Sequence, residues 1–178
     1  TVSYYYTRNK YILSAEGDEG ISSITGTGEW FYESKQHLTA SVAAGYTFDK
    51  WTDETGNELS TNVECDYTMK ANDAKLYAKT TANHYCICFD ANTGTGNMDD
   101  MTDVIYNKST YLPKNKFVKA GYTFEGWSTD KEAKKIDFSD EALIKNLTTE
   151  NNGKVIFYAV WSANNDTPYT VKHYREDI

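Results

Sequence analysis

An eight-residue phrase, Ala44-Gly45-Tyr46-Thr47-Phe48-Asp49-Lys50-Trp51, returns with two changes as Ala120-Gly121-Tyr122-Thr123-Phe124-Glu125-Gly126-Trp127. Downstream of each copy the echo continues, Leu76-Tyr77-Ala78 being answered by Phe157-Tyr158-Ala159 at nearly the same spacing. Self-similarity at a fixed period marks an array of stacked or strung units. A period of about 80 residues is too long for a solenoid repeat and suits a small independent domain. The chain therefore reads as two beads of a longer string and not as an enzyme.

Length agrees: 178 residues hold one medium domain or two small ones with modest cores. Aromatics reach 15%, with 15 tyrosines, and together with Thr, Val and Ile they favour strands. Net charge is -8. Residues 1–82 carry 7 basic and 12 acidic residues, and residues 83–178 carry 11 and 14. No basic stripe appears, so nucleic acid and anionic membrane are poor partners. No apolar run reaches the length of a bilayer span, so no direct membrane insertion is expected. No signal peptide is visible at Thr1, and the chain opens inside a strand pattern. An internal excerpt is the expectation, with any targeting or anchoring segment elsewhere.

Period-two alternation sets the strands. Thr1 to Tyr6 reads as a terminal strand, followed by Tyr11–Ala15, Ile21–Thr25, a Trp30–Tyr32 edge piece, Leu38–Val42, a Gly45 turn, Tyr46 to Trp51, Val63–Met69 and Lys75–Thr80. Asn83-His84 is the junction. Beyond it, Tyr85, Ile87 and Phe89 face the core with Cys86 and Cys88 opposite, and Thr102–Leu112 gives the next strand. Ser139-Asp140-Glu141 looks like a helix start, because Ser caps well and acids suit the positive end of the dipole. Ala142, Leu143 and Leu147 supply its apolar side, and Gly153 closes it. Lys154–Trp161 is apolar on both faces and belongs at the centre of a sheet. Tyr169–Tyr174 opens a further strand. The fold class is mainly β with minor α, in two small tandem domains, the first all-β or nearly so. Boundaries fall at 1–7 for a terminal strand of a preceding module, 8–82, 83–164, and 165–178 for a linker and the first strand of a following module.

These residues resemble a known family. Phe89-Asp90-Ala91-Asn92, Tyr111-Leu112-Pro113, the 120–127 phrase with Ser128, and Phe157-Tyr158-Ala159-Val160-Trp161 are similar in order and spacing to the Listeria–Bacteroides repeat, a module like the B-repeat of internalin B. Thr93 stands where that family has the first of two glycines. Residues 8–82 resemble a divergent copy through Tyr11–Gly17, Leu38-Thr39-Ala40, Gly45-Tyr46-Thr47-Phe48 with Trp51, and Leu76-Tyr77-Ala78. The two ends resemble strands of a mucin-binding-protein-like module. The resemblance implies a β-grasp-like second domain, a setting at the surface or cell wall of a bacterium or secreted from it, and no catalytic residues. Gly45, Tyr46, Phe48, Trp51 and Tyr77, with Gly121, Tyr122, Phe124, Trp127 and Tyr158, are then the structural signature.

Chemistry-bearing clusters are thin. Asp90-Ala91-Asn92-Thr93-Gly94 opens like a calcium loop but has Met101 where the closing Glu belongs. Asp99, Asp100 and Asp103 read as a solvated acidic loop. His37, His84 and His173 are isolated, and His84 and Cys88 stand about 13 Å apart along an extended strand. Cys65, Cys86 and Cys88 are an odd set, read as structural thiols in preference to a Cys65 disulfide or a metal pair. No catalytic residue, metal ligand or cofactor is assigned. Trp51 and Trp127 share one place in the two repeats, which argues for packing over sugar stacking. Tyr5 and Phe31 fall on outward positions and are the candidates for an exposed binding surface. The leading reading is a non-catalytic spacer or adhesion scaffold whose partners are other domains of the same surface protein. The alternative is a binding module for a host extracellular protein or glycan.

Overall fold

The computed structural model describes residues 2–3, 6–165 and 170–172, and among these there are strands and turns but no helix. They form two units. The first holds the described residues up to Tyr85 together with Asp103–Lys108 and Lys145–Gly153. The second holds Cys86–Thr102, Ser109–Ile144 and the described residues from Lys154 on.

The first unit is built from β1 (Lys10–Gly17), β2 (Ile21–Thr25), β3 (Gly28–Phe31), β4 (Lys35–Val42), β5 (Tyr46–Asp53), β6 (Glu58–Ser60), β7 (Glu64–Thr68) and β8 (Ala74–Ala82). Five of these make one sheet in the order β3-β1-β8-β5-β6, and three make another in the order β2-β4-β7. The alternation read from the sequence shows why the sheets face each other. Leu13, Trp51, Leu76 and Ala78 from the first sheet meet Leu38, Ala40 and Cys65 from the second, with Met69 beside them. Each buried Leu or Met among them contributes about 1.5–3 kcal/mol relative to exposure. Strands β1 and β8 run parallel, from Leu13↔Ala74 to Gly17↔Ala78. The neighbours β3 and β5 are antiparallel to them.

The second repeat contributes β9 (His84–Asp90), β10 (Met101–Ile105), β11 (Thr110–Tyr111), β12 (Tyr122–Ser128), β13 (Leu143–Ile144) and β14 (Gly153–Ala163). One sheet has the order β10-β9-β14-β12, and β11 pairs with β13 in a two-stranded ribbon. The apolar 154–161 run lies in an inner strand, as its two apolar faces require. Within the second unit Trp127 packs against Phe89, Phe117 and Phe124 at centroid distances of 5.0, 6.1 and 4.9 Å, and Phe157 against Phe138 at 5.2 Å.

In both repeats the echoed phrase encodes the same bulge. Pairing of β5 with β8 runs Phe48↔Thr80, skips Asp49, and resumes at Lys50↔Lys79 and Trp51↔Ala78. Pairing of β12 with β14 runs Phe124↔Trp161, skips Glu125, and resumes at Gly126↔Val160 and Trp127↔Ala159. In a regular strand residues three apart point to opposite faces. The extra residue changes that parity, so Phe48 and Trp51 share a face with centroids 6.2 Å apart, and so do Phe124 and Trp127. Opposite each indole sits a fully buried alanine, Ala78 or Ala159, which leaves room for it.

Several expectations need correction. The helix starting at Ser139-Asp140-Glu141 is absent; its stretch contains strand β13 instead. Glu141 and Asn146 adopt φ of +56°, which no right-handed helix admits, and Asp140 accepts a bond from the Asn115 N–H at 2.9 Å. Leu143 is exposed while Ile144 is buried, an alternation that suits a strand. A segment this short nucleates a helix poorly and pairs with β11 instead. A β-grasp sheet wraps a helix, so the second domain is corrected to a helix-free sheet among the described residues. The single strand expected over Thr102–Leu112 is broken at Asn107, whose φ is +63°. The terminal strand expected over Thr1–Tyr6 lies partly outside the described residues, and Val2, Ser3 and Tyr6 are in no strand. The strand expected over Tyr169–Tyr174 lies largely outside them.

Candidate functional site

Gly45 and Gly121 turn the chain into β5 and β12 with φ of +84° and +76°. Trp51 and Trp127 are fully buried. Phe48, Phe124, Tyr46, Tyr77 and Tyr158 are half-buried, and Tyr122 is exposed. The Trp51 Nε1–H donates to the Val63 carbonyl at 3.1 Å, whereas the buried Trp127 Nε1–H has no hydrogen-bond partner.

Two asparagines to which the sequence reading gave no such role complete this arrangement. The Thr47 hydroxyl donates to Asn83 Oδ1 at 2.6 Å, and Asn83 N–H donates to the Gly45 carbonyl at 2.8 Å. In the other copy the Thr123 hydroxyl donates to Asn164 Oδ1 at 2.7 Å, and Asn164 N–H to the Gly121 carbonyl at 2.9 Å. An asparagine thus ties the end of each last strand to the glycine turn. The available signal was the dipeptide Ala82-Asn83 repeated as Ala163-Asn164. In the first unit the buried Asn83 also donates from Nδ2 to the Thr149 carbonyl and accepts from Tyr106 N–H, both at 2.8 Å.

Of the two candidate surface aromatics, Tyr5 lies outside the described residues. Phe31 is 48% exposed at the end of edge strand β3, and the Lys10 ammonium sits 5.2 Å from its ring centroid. An open groove of about 340 Å³ beside it is lined by Thr7, Arg8, Phe31 and Ser34.

Titratable groups are spent on local pairs. His37 Nδ1 meets Asp66 at 2.8 Å, His84 pairs with Asp103, and His173 lies outside the described residues. The Cys88 thiol donates to Asp100 at 3.0 Å. Burial and the Asp100 carboxylate push that thiol up to about 11, so it is protonated at neutral pH and a poor nucleophile. Cys65 is buried and free, and its thiol is pushed up by burial. Hydrogen bonds from Ser128 and Thr129 hold Asp137 below the usual carboxylate range. Asp90 accepts Asn92 N–H at 2.7 Å, while Asn92 Nδ2 reaches the Lys131 and Ala159 carbonyls, so the turn resembling a calcium loop is closed by its own chain. Among the described residues no group of three or more His, Cys, Asp or Glu is placed to hold a metal. No helix among them is long and apolar enough to cross a membrane.

Comparison with known proteins divides the chain into two successive repeats. Residues 14–84 match the divergent InlB B-repeat domain, and residues 85–160 match the Listeria-Bacteroides repeat domain. A protein of Evansella cellulosilytica, whose name describes a Gly-rich membrane protein, is 30% identical over 161 residues. That match covers 89% of this chain and 16% of the relative, so the chain spans a small part of that relative's length.

Proposed function

We propose that this chain, a divergent InlB B-repeat domain followed in tandem by a Listeria-Bacteroides repeat domain, is a non-catalytic extracellular segment of a bacterial surface protein. It serves as a spacer and scaffold for other domains of that protein. The observation that carries this reading is the fate of the repeated residues. Phe48, Trp51 and Ala78, and their counterparts Phe124, Trp127 and Ala159, are used to pack cores. What the two copies share is a way of folding small units, which is what a spacer needs. The local pairing of every described histidine, and the protonated Cys88 thiol, agree with it. The test is exchange: in the longer protein, this segment is replaced by an unrelated domain pair of the same length. Binding by the flanking domains is then unchanged. Loss of a specific host contact on exchange refutes the spacer reading.

Phe31 favours a second reading, a binding module for a host protein or glycan, because it lies exposed beside an open groove. A screen against matrix proteins, mucin and polysaccharides separates the two. Saturable binding abolished by Phe31→Ala selects the binding module, and silence across the panel selects the spacer.

A further inference from the structure

The backbone enters the first repeat through β1 and leaves it through β8, and these two strands lie side by side and parallel inside the five-stranded sheet. In a parallel pair, the beginning of one strand and the end of the other stand at opposite ends of the ladder. Tension along the chain therefore slides β1 past β8, and the bonds between them fail together. An antiparallel terminal pair would instead open one bond at a time. The flanking strands β3 and β5 cover both outer edges of the pair.

Side chains reinforce this ladder along its length. Before its first register pair, Ile12 N–H donates to Asp73 Oδ1 at 2.8 Å. Within it, the Ser14 hydroxyl donates to the Ala74 carbonyl at 3.2 Å, and Lys75 pairs with Glu16 at 2.6 Å. Past its end, Asp18 accepts Thr80 N–H at 2.7 Å and the Thr80 hydroxyl at 2.6 Å, while its own N–H donates to the Ala78 carbonyl at 3.3 Å. All of these bonds cross the β1–β8 seam.

The second repeat is arranged likewise. Asn152 N–H donates to the His84 carbonyl at 2.7 Å, so β9 and β14 begin together. Farther along, Trp161 Nε1–H donates to the Ala91 carbonyl at 2.9 Å, and Asn92 Nδ2 to the Ala159 carbonyl at 3.1 Å. Strands β9 and β14, first and last of that repeat's sheet, are therefore also parallel neighbours.

We propose that the terminal strands of each repeat form a shear clamp, and that the segment is a load-bearing element built to resist tension along the chain. Forced unfolding is governed by the unfolding barrier, which is set by interactions that break on the way to the transition state. Bonds across the seam are those interactions when the pull runs end to end. The biological value of the clamp rests on the spacer reading, but its mechanics do not. A strong clamp in a segment that also binds a ligand would keep the mechanics and remove the spacer reading.

Single-molecule force spectroscopy on the full chain tests this. One tether joins the two chain ends. Another attaches at Arg8 and Asn72, which precede β1 and β8 and so stand at the same end of the ladder, where pulling unzips it. End-to-end rupture of the first unit requires several times the force of the 8–72 geometry, and equal forces overturn the proposal. Asp18→Ala supplies an independent arm. It removes the Thr80 bonds at the end of the ladder that unzipping reaches last. End-to-end force therefore falls, and the force to start unzipping from 8–72 does not. An equal fall in both geometries marks a loss of overall stability only and counts against the clamp.

Discussion

Thr93 has a φ of +70°, a left-handed conformation that a branched β-carbon opposes. The resembling family places glycine at this point, a residue that adopts such a φ without steric cost. Thr93→Gly relieves strain of order 1–3 kcal/mol, less the extra freedom that glycine gives the unfolded chain, for a net gain of about 1 kcal/mol. A shift of the urea midpoint to higher concentration checks this, and a lower midpoint contradicts it. Asp53 is held by the turn it starts. Hydrogen bonds from Asn57 and Thr55 lower its carboxyl to about 2. A depressed carboxyl stabilises the fold fully above its unfolded value, near 4, and that contribution is lost as pH falls toward about 2. The Thr55 and Asn57 amide resonances should follow one titration with a midpoint near 2. A midpoint at the ordinary Asp value would show the turn open in solution.

At the scale of the strand, the bulge explains why the echoed phrase is long. Six of its positions, from Gly45 to Lys50 in the first copy, turn the chain, start the strand and shift its register so that Trp51 comes inward opposite Ala78. The partner motif is short because only the small alanine is demanded there. Ala78→Leu places extra methyl groups against a buried indole and costs about 1–3 kcal/mol, as overpacking does. Ala159→Leu should cost about as much in the second repeat, because Trp127 faces Ala159 in the same way. Chemical denaturation of both variants measures the pair, and indifference at either site would mean that the bulge does not fix the indole. Period-two reading could find β4, where the buried Leu38 and Ala40 alternate with more exposed neighbours, but it has no means of counting a bulge. It also took the 139–153 stretch for a helix from a good capping residue, because capping is local and the pairing partner Thr110–Tyr111 is distant in sequence.

At the scale of the molecule, the first unit is not closed by the first repeat alone. Asp103–Lys108 and Lys145–Gly153 fold with it. Tyr106 covers the Gly45 turn so closely that a β-carbon there would lie 2.3 Å from its ring, and its ring stands edge-on to Tyr46 at 5.6 Å. Asn107 donates to Glu19 at 3.1 Å, and Asn83 uses Tyr106 and Thr149 for half of its hydrogen bonds. A fragment ending at residue 84 leaves those groups of Asn83 to water and bares the turn, at a cost of about 0.5–1.5 kcal/mol for each hydrogen bond that water replaces. Amide exchange at Leu76 and Ala78 is accordingly faster in the fragment than in the full chain. Equal protection would show that the first repeat is self-sufficient.

The sequence by itself determined that the chain is a tandem of related β repeats, because an echoed phrase is visible without coordinates and alternation reports which face is apolar. It also placed Trp51, Phe48 and Leu76 among the residues that make a repeat, since a core must be written in side chains. Tertiary structure alone decided which strands became neighbours. The parallel seam of β1 and β8, the bulge that turns Trp51 inward, the strand where a helix was expected, and the asparagine tying each last strand to its glycine turn all depend on partners distant in sequence. Pairing of that kind is chosen by the free energy of the closed sheet as a whole, and no local run of residues carries it.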